Sequence, residues 1–317
     1  MRRLSVSTAA LLLLAGLSTG CRSGIETGSV PASEPDSENA APLLVAVSVP
    51  PQAWLVERIG GARIRTEVMI PPGYSHVDVP LTPRQMAALG RAALYLKVGH
   101  PAFEFESEQL APVLAGLPGL RIVDMSRGMR FLNGGHEHEG DPRDPQDHHG
   151  HEGGDPHVWV APDTFAVAAV NVARALEEAD PGHAAEYRAN LRVTLAEIRD
   201  VDQEIRRQLA ETPPSRRKFM VYHPTWGYFA RQYGLEQIAI EFEGKEPSAV
   251  RLIHLIEEAR RERVRVIFVE SGFPRESAQI IAEAVGGRVV TADPQARDWP
   301  DNLRRTAAEL REAWSHG

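Results

Sequence analysis

The chain has 317 residues, 43% apolar and 25% charged, with a formal net charge of −8 at pH 7. That length allows a substantial buried core and points to two lobes rather than one. With 35 Lys and Arg against 43 Asp and Glu, there is no basic excess of the kind a nucleic-acid partner calls for.

Arg2 and Arg3 precede an apolar run over 9–17. The run is too short to span a bilayer as a helix, but it has the length and flanks of a secretory signal. Small residues follow, then Cys21, the only cysteine. Residues 1–21 resemble a bacterial lipoprotein signal, with Gly20 before a cysteine that cleavage would expose for lipidation. Ser18 stands where such signals usually carry leucine, and Leu17 lies one position further back. Ordinary cleavage leaving a free thiol is the alternative, although a lone exposed thiol is a liability in an oxidising compartment. Residues 22–42 read as a flexible tether of Ser, Pro, Glu and Gly. The expected location is therefore the periplasm or cell surface, with the membrane reached through a lipid on Cys21. Without a second cysteine the fold must rest on its core.

Beyond the tether, 43–49 is a short β-rich run followed by a helix over 52–59, and 64–70 is a second strand broken by Pro71-Pro72-Gly73. A loop carrying His76 leads to a helix near Thr82-Pro83, where threonine suits the N-cap and proline the first turn. A strand over 92–98, a helix over 104–115 and a strand over 120–125 follow. Strands alternating with helices at this spacing predict parallel βαβ units and an α/β layer fold. The first lobe is thus expected over 43–180.

Between 136 and 159 the composition changes. His136, His138, His148, His149, His151 and His157 are half of the twelve histidines, and the residues among them are mostly acidic, Gly or Pro. Such a segment cannot bury enough surface to offset its ordering entropy, so 134–154 reads as a mobile surface loop. Clustered imidazoles with carboxylates beside them point to metal contact. At Asp155-Pro156-His157-Val158-Trp159-Val160 the polar tract gives way to a strand-like apolar run, so His157 is the histidine expected to be held by folded structure.

A helix over 163–178 and a long one over 184–209 come next. Leu191, Leu195, Ile198, Val201, Ile205 and Leu209 form the apolar stripe of the long helix, which reads either as a strut between two αβ halves (181–210) or as an ordinary surface helix. A second αβ series occupies 211–317. Its strands are expected at 218–222, 237–242, 264–269 and 288–291, and its helices end at about 233, 261, 285 and 314.

Parallel folds place ligand-binding residues at strand ends. Four strand ends carry metal-competent side chains: His76 after Ile70, His223 after Tyr222, Glu270 after Val269 and Asp293 after Thr291. His157 makes a fifth. Any one of them alone reads more simply as a hydrogen-bonded structural residue. His100, in VGHPAFEFE, reads as structural, and Glu246 as a residue at a helix start, where a carboxylate is favoured.

The stretches PPGYSHVDVPLTP (71–83), DPHVWVAP (155–162), VYHPTWGYFA (221–230), EGKEPS (243–248) and ADP (292–294) resemble those of zinc- and manganese-binding solute receptors of bacterial ABC transporters. The likeness covers about 43–314. It implies two αβ lobes with parallel sheets, joined by one long helix, with metal in the cleft between them. It implies four ligands, His76, His157, His223 and Asp293, and an ABC permease as partner of a monomeric receptor. A histidine-rich insertion before the second ligand is typical of the zinc-transporting branch.

Zn2+ suits that donor set better than Mn2+, since the harder ion prefers more oxygen donors and manganese members of the family often carry glutamate where His223 stands. Three imidazoles and one carboxylate close a tetrahedral shell, which suits storage or transport rather than catalysis. No HExxH motif or nucleophile–base pair accompanies it. Glu270 and Asp78 are then candidates for orienting a liganding imidazole, with structural roles as the alternative for each. Binding is expected to weaken below about pH 6, where free imidazole takes up a proton. Two other classes stay open at this point: a zinc hydrolase using Glu270 as base, and an adhesin stabilised by metal.

Overall fold

The computed structural model describes residues 41–72, 74, 79–132, 154–213, 216–241 and 245–315. The expected signal, Cys21 and nearly all of the tether lie outside the described residues. No helix among the described residues is long and apolar enough to cross a membrane.

Two four-stranded sheets, each wholly parallel, form the frame. The first comprises β1 (Leu43–Val47), β2 (Ile64–Val68), β3 (Leu94–Lys97) and β4 (Arg121–Asp124) in the order β2-β1-β3-β4. The second comprises β5 (Lys218–Val221), β6 (Glu236–Ala239), β7 (Val266–Val269) and β8 (Arg288–Thr291) in the order β6-β5-β7-β8. The central strands are buried on both faces, as LVAV in β1 and VIFV in β7 foretell. Parallel neighbours need crossover connections, and helices supply most of them. In the first half these are α1 (Pro50–Gly60), α2 (Pro83–Leu89) and α3 (Ala111–Ala115). In the second half they are α6 (Gly227–Tyr233), α7 (Ala249–Arg261) and α8 (Glu276–Val285), with α4 (Pro162–Ala179), α5 (Ala184–Leu209) and α9 (Trp299–Ser315) completing the fold.

The start of α2 matters because it follows closely in sequence on His76. Thr82 Oγ1 accepts from the Gln85 N–H and Gln85 Oε1 accepts from the Thr82 N–H at 2.9 Å, a reciprocal cap. The Gln85 amide then donates to the carbonyls of Val68 and Met69, tying the helix to the end of β2.

Helix α5 packs on α1 and α4 from one side of the sequence and on α9 from the other. Ile198, Val201, Ile205 and Leu209 are buried, and Leu191 and Leu195 pack against the core from the rim, so the predicted stripe is the buried face. At the top of this bundle Trp299, the first residue of α9, stacks on Phe165 of α4 with centroids 4.5 Å apart. Trp54 of α1 completes the cluster at 5.5 Å from Trp299. The seam thus joins a helix of the second half to two of the first.

Two segments depart from expectation. Residues 158–160 form a buried 3-10 turn, not a strand, and pair with neither sheet. The helix expected over 104–115 winds as a π-helix over Phe105–Leu110 before becoming α-helical. That wider turn carries Glu106 inward, where its carboxylate accepts from Ser48 and from the N–H groups of Val98 and Gly99.

Trp299→Ala should destabilise the fold by about 3–5 kcal/mol, the usual cost of removing a large buried aromatic. Denaturant unfolding of the zinc-free protein measures it, and a loss below about 1 kcal/mol would show that the seam is not a core contact.

Candidate metal centre

Every strand of the second sheet ends at the same edge, and each delivers one charged or imidazole side chain there. In spatial order they are Glu241 after β6, His223 after β5, Glu270 after β7 and Asp293 after β8. Neighbouring strands lie about 4.8 Å apart, so Asp293 starts roughly 10 Å from His223, with Glu270 between them.

His157 reaches the same edge from the first half. Gly154 has φ +88°, and a Cβ there would collide with the Leu132 carbonyl, so the chain enters this stretch in a conformation that glycine alone adopts readily. Asp155 then folds back on the next residues. Its Oδ1 accepts from the His157 N–H at 2.9 Å and from the His157 Nδ1–H at 2.7 Å. Gly227, at the start of α6, leaves room for the other carboxylate oxygen, which a side chain there would strike.

His223 is held in the same manner by a different residue. Its Nδ1–H donates to Glu241 Oε1 at 2.7 Å, and its ring lies parallel to Phe273 with centroids 5.4 Å apart. A carboxylate can only accept, so each imidazole, when neutral, carries its proton on Nδ1 and has its lone pair on Nε2. The two rings stand almost perpendicular, at 88°, with centroids 5.5 Å apart. Two imidazoles bound through Nε2 to one tetrahedral zinc, at about 2.0–2.1 Å each, have centroids roughly 5 Å apart. The pair fits.

Burial disfavours charge on His223, but the Glu241 bond and the fields of Glu270, Glu241 and Asp155 outweigh it and hold the imidazole above its ordinary value. Glu270 is pushed up to about 7, chiefly by burial, while His223 and the Thr225 hydroxyl pull it back. Burial also raises Asp293, whose Oδ1 accepts from the Gln295 N–H at 2.8 Å. These acids share a water-poor edge where positive charge would be welcome.

The described residues bring His157 and His223 together. Asp293 lies within the electrostatic reach of Glu270, but no three His, Cys, Asp or Glu side chains among the described residues form a group that could hold a metal. His76 and Asp78 lie outside the described residues, as do His136, His138, His148, His149 and His151. The bond to His223 Nδ1 comes from Glu241, while Glu270, a candidate for orienting an imidazole, accepts through Oε1 from Thr225 at 2.6 Å. Glu241 was hidden because 237–242 reads as one strand, whereas the ladder stops at Ala239 and turns Glu241 toward the edge. Asp155 had a visible signal in its spacing, a carboxylate two residues before a histidine. Glu246 accepts from Ser277, and the cap of α7 is Ser248. His100 is buried, with its Nδ1 accepting from the Ala102 N–H at 3.1 Å.

Residues 45–313 match the family model described as zinc-uptake complex component A, periplasmic (ZnuA). The chain is similar to the high-affinity zinc uptake system protein ZnuA of Yersinia pestis, 26% identical over 269 residues, 81% of this chain and 84% of that protein. It spans 43% of a Treponema pallidum protein described as metal-binding, at 34% identity, and 35% of the zinc-binding protein AdcA of Streptococcus pyogenes, at 27%. A crystal structure of ZnuA superposes with a TM-score of 0.76 at 35% identity, covering 86% of this chain and 98% of that one.

Glu241→Gln should weaken zinc binding by about 10–100-fold, as losing the partner of a liganding histidine does elsewhere; unchanged affinity in calorimetry would remove Glu241 from the site. A protonated imidazole cannot bind, and His223 is held above its ordinary value, so affinity should begin to fall at a higher pH than a free imidazole would set. Below about 7, Glu270 also holds a proton that a nearby dication would expel. Calorimetry in buffers of different ionisation enthalpy should therefore record proton release on binding at pH 6.5, and the same affinity at pH 7 and pH 6 would contradict this.

Proposed function

This chain belongs to the zinc-uptake complex component A family, and from that premise we propose that it is a high-affinity zinc receptor delivering Zn2+ to the permease of an ABC importer. The observation that carries the proposal is the pair His157 and His223, each bonded at Nδ1 to a carboxylate, with ring centroids 5.5 Å apart, a separation compatible with one shared tetrahedral zinc. His76 and Asp293 complete the shell in this reading. Neutral imidazoles and one carboxylate favour zinc over manganese. A closed shell keeps zinc as cargo, with no coordination site left for a substrate.

A helix as long as α5, packed on elements of both halves, allows only small lobe shifts, so release relies on those shifts or on reordering of the ligand loops. Residues 134–154 gather further zinc weakly and supply it to the tight site. The described residues on either side of this segment meet: the Asp155 N–H donates to the Leu132 carbonyl at 3.2 Å and the Leu132 N–H to Tyr228 Oη at 3.1 Å. Shortening it therefore need not disturb what it connects. Lipidation of Cys21 holds the monomeric receptor at the membrane, outside the cytoplasm.

Calorimetry with elemental analysis tests the reading. The intact protein should bind one zinc tightly and more weakly. Deleting 134–154 should keep the tight site and lower the total. His157→Ala and His223→Ala should each weaken the tight site by about 100-fold or more, the upper end of what losing even an outer partner costs. A tight site that survives both substitutions, or vanishes with the loop, would contradict the proposal.

A further inference from the structure

We infer that Trp159 is a positioning residue for the metal site, its indole N–H fixing the spacing between the His157 segment and the Asp293 segment. The inference rests on the receptor reading above. Trp159 lies two residues after His157, is buried, and packs edge-on against His157 and Phe103 with centroids 5.3 and 5.8 Å away. Its Nε1–H donates to the carbonyl of Pro294, the residue after Asp293, at 2.8 Å. A second indole returns the contact: Trp299 Nε1–H donates to the Trp159 carbonyl at 2.7 Å.

A buried indole N–H needs an acceptor, and any carbonyl would satisfy it. What gives this bond a role is where it lands. The Asp293 carbonyl accepts from Asn302 Nδ2 at 2.7 Å and its carboxylate from the Gln295 N–H at 2.8 Å. Both of these anchors belong to the second half of the chain and fix the loop only within it. Arg297, which donates to Glu57 at 2.6 Å, joins the same stretch to the first half at α1, whereas Trp159 ties the loop beside Asp293 directly to the His157 segment. With Asp293 held on its own side and Pro294 bonded to Trp159, the bond limits how far the His157 and Asp293 backbones can drift apart. Zinc takes nitrogen and oxygen donors at about 2.0–2.2 Å in a four-coordinate shell, so a spacing held to a few tenths of an ångström favours it over ions that accept more ligands.

The test uses the full chain stripped of metal, comparing wild type with Trp159→Phe, which keeps an aromatic ring and removes the donor. Phe165→Leu serves as control, because Phe165 stacks in the same seam without bonding either ligand segment. Three quantities are read: the melting temperature of the zinc-free protein, the rate of zinc loss to a chelator, and the visible spectrum of the Co2+-loaded form. Trp159→Phe should lose zinc about tenfold faster or more, in the range found for outer partners of metal sites, and its Co2+ bands should lose tetrahedral intensity. Phe165→Leu should lower the melting temperature and leave rate and spectrum as in wild type. Wild-type rate and spectrum in Trp159→Phe would overturn the inference alone, as would equal changes in both variants. Should Trp159→Phe fail to fold, 3-benzothienylalanine at position 159, which keeps both rings and lacks only the N–H, carries the same outcomes. A wild-type protein that takes up no tight zinc would overturn the receptor reading and this inference with it.

Discussion

Parallel pairing obliges every strand of a sheet to end at the same edge, and the site follows from that constraint. In the order β6-β5-β7-β8, the four chain turns that leave the second sheet set Glu241, His223, Glu270 and Asp293 side by side. No single turn supplies a binding site. The row exists because the helices between the strands return the chain to the same starting end each time. His157 joins the row from outside the sheet, carried on a 3-10 turn whose backbone is bonded to Trp299 and whose ring bonds Pro294.

The chemistry of the row is that of carboxylates and imidazoles kept from water. Asp155 and Glu241 each spend an oxygen on an Nδ1–H, which fixes tautomer and ring orientation together. Glu270 and Asp293 stay as acids whose charge is unwelcome by burial alone. The zinc-free protein can balance them by protonating His223. A dication bound there, as proposed, would do so more fully and would couple metal uptake to proton release through the same residues.

Much of this was legible in the sequence. The apolar runs and their spacing gave eight parallel strands in two groups, and the stripe from Leu191 to Leu209 gave α5 with the bounds observed. His157 and His223 stood out because each adjoins an apolar segment that must be buried. Glu241 did not, since strand periodicity continues past Ala239 while the ladder stops there. Trp159 was read as part of a strand because three apolar residues in a row carry no mark of helical turn. Its partner acceptor lies 135 residues away, beyond the reach of local pattern. Sequence shows which residues are fit for a role; which of them meet depends on tertiary pairing.

X-ray absorption at the zinc edge, on full-length protein carrying one equivalent of Zn2+, tests the central claim most directly. The account predicts a single shell of four nitrogen and oxygen donors at about 2.0 Å, with the outer scattering of three imidazoles, one of which disappears in His223→Ala. A shell of five or six light donors with fewer than two imidazoles, or one that His223→Ala leaves unchanged, would contradict it.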